Sequence, residues 1–136
     1  MANDVLVDSN VLIDIFGAPG DWTAWSRTQV ERLSGRAMLM INPVIFAEIS
    51  VNLPDFETVD ALVPEERFTR EDLPWESAFA AAKAHLVYRR RGGTKTSPLP
   101  DFFIGAHAQV RGHRLLTRDR LRYETYFPEV DLIAPD

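Results

Sequence analysis

The chain has 136 residues, 46% hydrophobic and 26% charged, which suits one compact soluble domain over residues 1–136 and excludes a wholly disordered chain. It has no cysteine, so disulfides, thiolate catalysis and cysteine-ligated zinc are excluded. The net charge of −5 speaks against a broadly basic nucleic-acid binder, and no apolar run approaches the ~20 residues that span a bilayer; with no signal-peptide pattern at the start, the cytoplasm is the expected compartment.

Val5, Leu6 and Val7 read as a short buried strand that meets a carboxylate, Asp8, at its end. Ser9 or Asn10 is suited to cap the short helix that Ile13 to Phe16 finish, and Gly17 to Gly20 end it. Asp21 is placed to cap a helix from Trp22 to Arg36, with Trp22, Trp25, Val30 and Leu33 at near-helical spacing. Met38 to Ile41 is a second run of strand length. Asn42-Pro43 then supplies a cap and a first-turn proline for a helix over Val44 to Leu53, which carries Glu48. A short helix over Glu57 to Val63 and a minor strand at Arg67 to Thr69 follow. An alanine-rich helix runs from Trp75 to about Arg91 and stops at Gly92-Gly93. After a polar loop to Pro100, a helix over Asp101 to Arg111 is closed by Gly112. Arg114 to Thr117 and Val130 to Ile133 are the last strands. Strands alternating with helices predict a parallel sheet covered on both faces.

Four carboxylates share one context. Asp8 ends a strand, Glu48 lies in a helix that follows a strand, Asp101 opens a helix, and Asp119 follows the Leu115-Leu116 strand. Strand ends and adjacent helix starts converge at one edge of a parallel sheet, so the four can meet in space. Gathered carboxylates repel and raise one another's pKa, and hard divalent cations relieve that repulsion. All-oxygen ligation suits magnesium or manganese, whose natural chemistry in such a cluster is phosphodiester hydrolysis. The same residues can also be read as helix caps and solvated surface charges, with Asp101 capping its helix and Asp119 beginning a turn.

The segments Val7-Asp8-Ser9-Asn10-Val11-Leu12-Ile13, Pro43 to Glu48, Leu99 to Ala108 and Leu115-Leu116-Thr117-Arg118-Asp119 resemble the four signature segments of PIN-domain ribonucleases. Within that family the chain most resembles the VapC toxins of type II toxin–antitoxin modules, and Tyr126 to Val130 with Leu132-Ile133 looks like their carboxyl terminus. The resemblance implies a three-layer α/β/α sandwich around a central parallel sheet, and Mg²⁺- or Mn²⁺-dependent endonucleolytic cleavage of RNA. It implies Asp8, Glu48, Asp101 and Asp119 as metal ligands, direct or through water. Asn10 and Thr117 match polar positions that orient them. It also implies a homodimer, a cognate antitoxin partner and no membrane.

Other residues carry weaker signals. Arg89, Arg90, Arg91 and Lys95 are candidates for RNA phosphate contacts, and equally for a solvated helix end where cations suit the helix dipole. Asp14 reads as a solvated helix residue and His107 as structural; His85 and His113 give no functional signal. Trp22, Trp25 and Trp75 read as core or dimer-interface residues. Two further functions stay open: a nuclease of RNA processing or repair without a toxin role, and a non-catalytic acidic domain that binds a partner.

Overall fold

The structure, a computed structural model, describes residues 4–93 and 99–136. Its strands are β1 (Val5–Val7), β2 (Leu39–Ile41), β3 (Thr69–Arg70), β4 (Arg114–Leu116) and β5 (Leu132–Ile133). Among the described residues the helices are α1 (Ser9–Phe16), α2 (Thr23–Leu33), α3 (Pro43–Ser50), α4 (Phe56–Leu62), α5 (Trp75–Arg90), α6 (Leu99–Arg111) and α7 (Arg120–Tyr126). The sheet order is β3-β2-β1-β4-β5, and every pairing is parallel. Helices cover both faces, giving the three-layer α/β/α arrangement.

The position of β1 follows from its residues. Val5, Leu6 and Val7 have no polar side chain to turn toward water, and all three are fully buried. They pair with Leu39 and Met40 on one side and with Arg114, Leu115 and Leu116 on the other. Phe102, Ile104 and Ala108 of α6 and Ile45 and Ile49 of α3 close the core over the sheet. Each apolar side chain of Leu or Ile size removed from water here contributes roughly 1.5–3 kcal/mol.

Several local expectations need correcting. Neither Ser9 nor Asn10 caps α1: the cap position is Asp8, with no side-chain capping bond, and Ser9 and Asn10 lie in the first turn with side chains engaged elsewhere. Asp21 does not cap α2, where Trp22 takes the cap position without a side-chain bond. Asn42 does cap α3, its Oδ1 accepting from the Ile45 backbone N–H at 2.9 Å, with Pro43 next to it. The minor strand is shifted to Thr69–Arg70: the Arg67 and Phe68 N–H groups both donate to the Pro64 carbonyl in a turn, and Phe68 packs into the core. Among the described residues helix α6 already includes Leu99 and Pro100, ahead of Asp101, and β5 is reduced to Leu132–Ile133. Helix α7 has no counterpart in the sequence pattern, since seven residues offer only two turns in which to show a period. Asp119, read as beginning a turn, accepts from the Arg122 N–H and caps that helix. The glycines at 92 and 112 do follow α5 and α6 with positive φ (88° and 70°), a backbone form that favours glycine.

Trp22 is 39% exposed and Trp75 90% exposed, so neither is a core residue; Trp25 packs against the core.

Candidate metal centre

Asp8 is the first residue beyond β1, and Thr117 the first beyond β4. β2 lies on one side of β1 and β4 on the other, so these two strand ends flank the switch point of the sheet, where open α/β folds form a crevice. Helix α3 brings Glu48 to that point from the β2 side. Helix α6 brings Asp101. One carboxylate oxygen from each of Asp8, Glu48 and Asp101 lies within 4.8 Å of the others.

Asp8 is 1% exposed, and its Oδ2 is held by two hydroxyls. Thr117 Oγ1 donates to Asp8 Oδ2 at 2.8 Å, and the Tyr123 hydroxyl donates to the same oxygen at 3.0 Å. Burial, reinforced by the charge of Asp101, pushes the Asp8 carboxyl up to about 7, even though both hydroxyls pull it down. Glu48 is also raised, first by burial and then by Asp101, against a hydrogen bond donated by Ser9 Oγ to Glu48 Oε1 at 2.6 Å. The Ser9 hydroxyl lies 3.4 Å from Asp8 Oδ1 and so bridges the two carboxylates.

Asp101 is raised by burial, and Arg122 works against that shift. Arg122 Nη1 donates to Asp101 Oδ2 at 2.5 Å and stands 3.5 Å from Asp119 Oδ2. A guanidinium from α7 therefore offsets part of the negative charge at the mouth of the group.

Asn10 Nδ2 reaches Thr117 Oγ1 at 3.4 Å, and Asn10 Oδ1 accepts from the Arg118 N–H at 3.3 Å. Asn10 thus steadies the hydroxyl that steadies Asp8. Asp119 lies outside the close group of three: its backbone N–H donates to Thr117 Oγ1 at 3.0 Å, and its carboxylate faces Arg122. Asp14 is turned away. It is clamped by Arg118 through two hydrogen bonds of 2.6 and 3.0 Å and by Ser26 at 2.6 Å, while the Arg118 guanidinium lies over the Trp22 ring. Arg89, Arg90 and Arg91 are exposed at the end of α5, with Arg91 over the Tyr126 ring; Lys95 lies outside the described residues.

The donor set fits a hard divalent cation. It is all oxygen, it concentrates negative charge, and its most buried member is pushed toward neutrality by burial and by the charge of Asp101. Asp8, Glu48 and Asp101 are the side chains placed to hold such an ion, with Ser9, Thr117 and Tyr123 orienting two of them. The sequence pattern offers Ser9 only as a cap, and it gives no signal at all for Arg122 and Tyr123. Both of those lie just beyond the Leu115–Asp119 segment, on the helix the pattern does not reveal.

A wholly parallel sheet with clustered carboxylates at its switch point defines an α/β domain built around an acidic centre of the kind that suits Mg²⁺ or Mn²⁺. Residues 5–128 match the PIN domain, and the chain belongs to the PIN domain family. Its fold is shared with VapBC2 from Rickettsia felis, solved bound to a DNA fragment from its promoter (TM-score 0.73, 15% identity, 97% of this chain and 98% of that one). It is shared too with a toxin–antitoxin complex from Klebsiella pneumoniae (TM-score 0.69, 21% identity, 98% of each chain). VapBC-1 from nontypeable Haemophilus influenzae is similar (TM-score 0.69, 16% identity, 96% of each chain). No curated protein sequence matches the chain.

Proposed function

We propose that the chain is a Mg²⁺- or Mn²⁺-dependent endoribonuclease and the toxin of a toxin–antitoxin pair. The observation that carries the reading is the convergence of Asp8, Glu48 and Asp101 at the switch point, with Asp8 buried and its carboxyl pushed up to about 7. A buried acidic group of this kind is costly unless a cation joins it. Membership of the PIN domain family supports nuclease chemistry, and the fold shared with chains of toxin–antitoxin complexes supports the toxin role.

The residues divide the work. Asp8, Glu48 and Asp101 hold the cation, and Asp119 acts at its edge through water. A bound Mg²⁺ or Mn²⁺ supplies the charge that makes a water nucleophilic at neutral pH and stabilises the phosphate as the P–O bond breaks. Thr117 and Tyr123 fix the Asp8 oxygen, Ser9 fixes Glu48, and Asn10 fixes Thr117. Arg122 holds Asp101, and Arg89 to Arg91 offer charge to the RNA backbone. The cognate antitoxin, a homodimeric state and a cytoplasmic setting belong to the same proposal.

The test is cleavage of total RNA by the purified protein with Mg²⁺ or Mn²⁺, beside Asp8→Asn and Asp101→Asn. Cleavage by the wild type alone is the expected outcome; equal cleavage by all three sinks the reading. Growth arrest on induced expression, abolished by Asp8→Asn, separates a toxin from a processing or repair nuclease with the same site.

A further inference from the structure

A second cluster of metal-ligating side chains stands apart from the carboxylates. Glu71 follows β3, His107 lies within α6, and His113 precedes β4. His107 is fully buried and His113 nearly so, and both Nε2 atoms lie 2.7 Å from the same oxygen, Glu71 Oε1. By composition this set could hold a zinc ion, and the three ligand atoms lie within 4.8 Å of one another. Access does not bar an ion, because Glu71 lines an open cleft of about 270 Å³ with Asn42, Phe46 and Arg70.

The position of one proton argues against it. Asn42 Oδ1 is committed to the Ile45 N–H as the α3 cap, so the amide must present its Nδ2 hydrogens to His107 Nδ1, 2.9 Å away. Nδ1 is then the acceptor, and in a neutral ring the proton sits on Nε2. That proton is donated to Glu71. A metal on Nε2 requires the reverse tautomer, with Nδ1–H facing an acceptor, and here it would face a donor. Burial, the first cause, together with the charges of His113 and Arg111, keeps His107 below its usual pKa against the pull of Glu71. The His107–Glu71 contact is therefore a hydrogen bond from a neutral ring.

What this chain of fixed direction does follows from where it sits. Asn42 caps α3, and Glu48 lies six residues further along (48 − 42). His107 lies six residues beyond Asp101 on α6 (107 − 101). The two helices pack together, with Asn42 against His107 at one end and Glu48 against Asp101 at the other. Six residues correspond to about 9 Å along each helix. We propose that Asn42 and His107 are positioning residues for the carboxylate site: their hydrogen bond, anchored through Glu71, sets the registration of α3 against α6 and so the separation of Glu48 from Asp101. The inference rests on the metal-dependent reading above.

The test compares Mn²⁺ affinity by calorimetry, at one pH, across the wild type, His107→Leu, Asn42→Ser and His107→Gln. Serine keeps a capping oxygen and removes the amide donor; glutamine keeps an acceptor and a donor side by side. Outer contacts that orient ligands are worth roughly 10–100-fold in metal affinity, so the leucine and serine variants are expected to bind about tenfold more weakly and the glutamine variant within about twofold of wild type. If the leucine variant does not fold, the serine variant decides. Equal affinity across all variants overturns the proposal while leaving the nuclease reading intact. A wild type that takes no Mn²⁺ overturns the metal-dependent reading, and the positioning role with it. Nitrogen-15 NMR of the imidazoles supplies a readout without metal: His107 protonated on Nε2 is expected, and protonation on Nδ1 overturns the proposal.

Discussion

The Tyr123 hydroxyl, on α7, donates to Asp8 Oδ2 at 3.0 Å and joins the last helix of the chain to the end of its first strand. Tyr123 is fully buried, and its own ionisation is pushed well above the usual range by burial and by the negative charge of Asp8. It therefore stays a donor. Tyr123→Phe removes that donor and leaves Thr117 as the remaining hydroxyl on Asp8 Oδ2. The loss is expected to cost about 1 kcal/mol. It also lets the Asp8 carboxyl rise further, because the tyrosine hydrogen bond holds it down. The cost should then be larger at pH 8, where Asp8 is ionised, than at pH 5, where it is protonated. Thermal melts of both proteins in EDTA at the two pH values check this, and an equal cost at both counts against the assignment.

Burial of Asp8 itself sets a wider pH dependence. Its carboxyl titrates at about 7 in the fold and near 3.8 when the chain is unfolded. Between those values the folded form keeps a proton that the unfolded form has lost, so stability falls as pH rises through the window, and the loss is complete above 7. Three pKa units correspond to about 4 kcal/mol, an upper bound for this one group. Glu48 and Asp101 are raised as well and act in the same sense. Asp8→Asn removes the largest part of the effect. The melting temperature of the variant minus that of the wild type, both metal-free, should grow from pH 5 to pH 8. Added Mn²⁺ should reverse the wild-type trend, since the ion competes with the proton and binds more tightly as pH rises toward 7. A difference that does not change with pH would contradict this account.

The carboxylates and their helpers are unequally visible in the sequence. Asp8 and Glu48 are legible because a strand end and the helix after a strand meet at one sheet edge, and Asp101 because the helix that leads into β4 starts at that same edge. The core strands are legible for the same reason: Val5-Leu6-Val7 and Leu115-Leu116 have nowhere to go but inside. Ser9 misleads because a hydroxyl at a helix start is the usual cap, while its actual acceptor, Glu48, is 39 positions away. Arg122 and Tyr123 are invisible because their partners, Asp101 and Asp8, are 21 and 115 positions away, and local spacing carries no trace of such contacts. His107 is legible as a structural residue, but the direction of its hydrogen bonds depends on Asn42, which local pattern identifies only as a cap.

Arg122 competes with any ion for Asp101. Its Nη1 holds Asp101 Oδ2 at 2.5 Å, and both side chains are partly exposed, at 31% and 22%. A partly exposed pair of this kind is worth up to about 1 kcal/mol, so removing it should tighten Mn²⁺ binding by about two- to fivefold. Arg122→Gln is the suitable variant because it keeps a polar side chain, though a shorter one, without charge. Calorimetric titration with Mn²⁺ at matched salt and pH reads the change. The gain should shrink at high salt, as it does for exposed charges. Weaker binding in the variant would mean that Arg122 orders Asp101 more than it competes for it.

The substitution Asn42→Asp reverses the polarity that keeps His107 protonated on Nε2. The new carboxylate would still cap α3 through one oxygen, since aspartate and asparagine are comparable caps. Its second oxygen would face His107 Nδ1 as an acceptor and draw the proton there. His107 Nε2 would then carry a lone pair toward Glu71 and His113, in the carboxylate–histidine arrangement that supports zinc. Without metal the variant should be less stable than wild type by roughly 1–3 kcal/mol, because position 42 is 2% exposed and receives a buried charge. Zn²⁺ should restore that loss by binding only the folded form. The readout is specific to this cluster: the imidazole nitrogen signals of His107 and His113 should shift together on adding Zn²⁺ to the variant and stay unmoved in the wild type. Movement of both signals in the wild type would show that the native cluster already accepts the ion, and that the Asn42 amide does not set the tautomer.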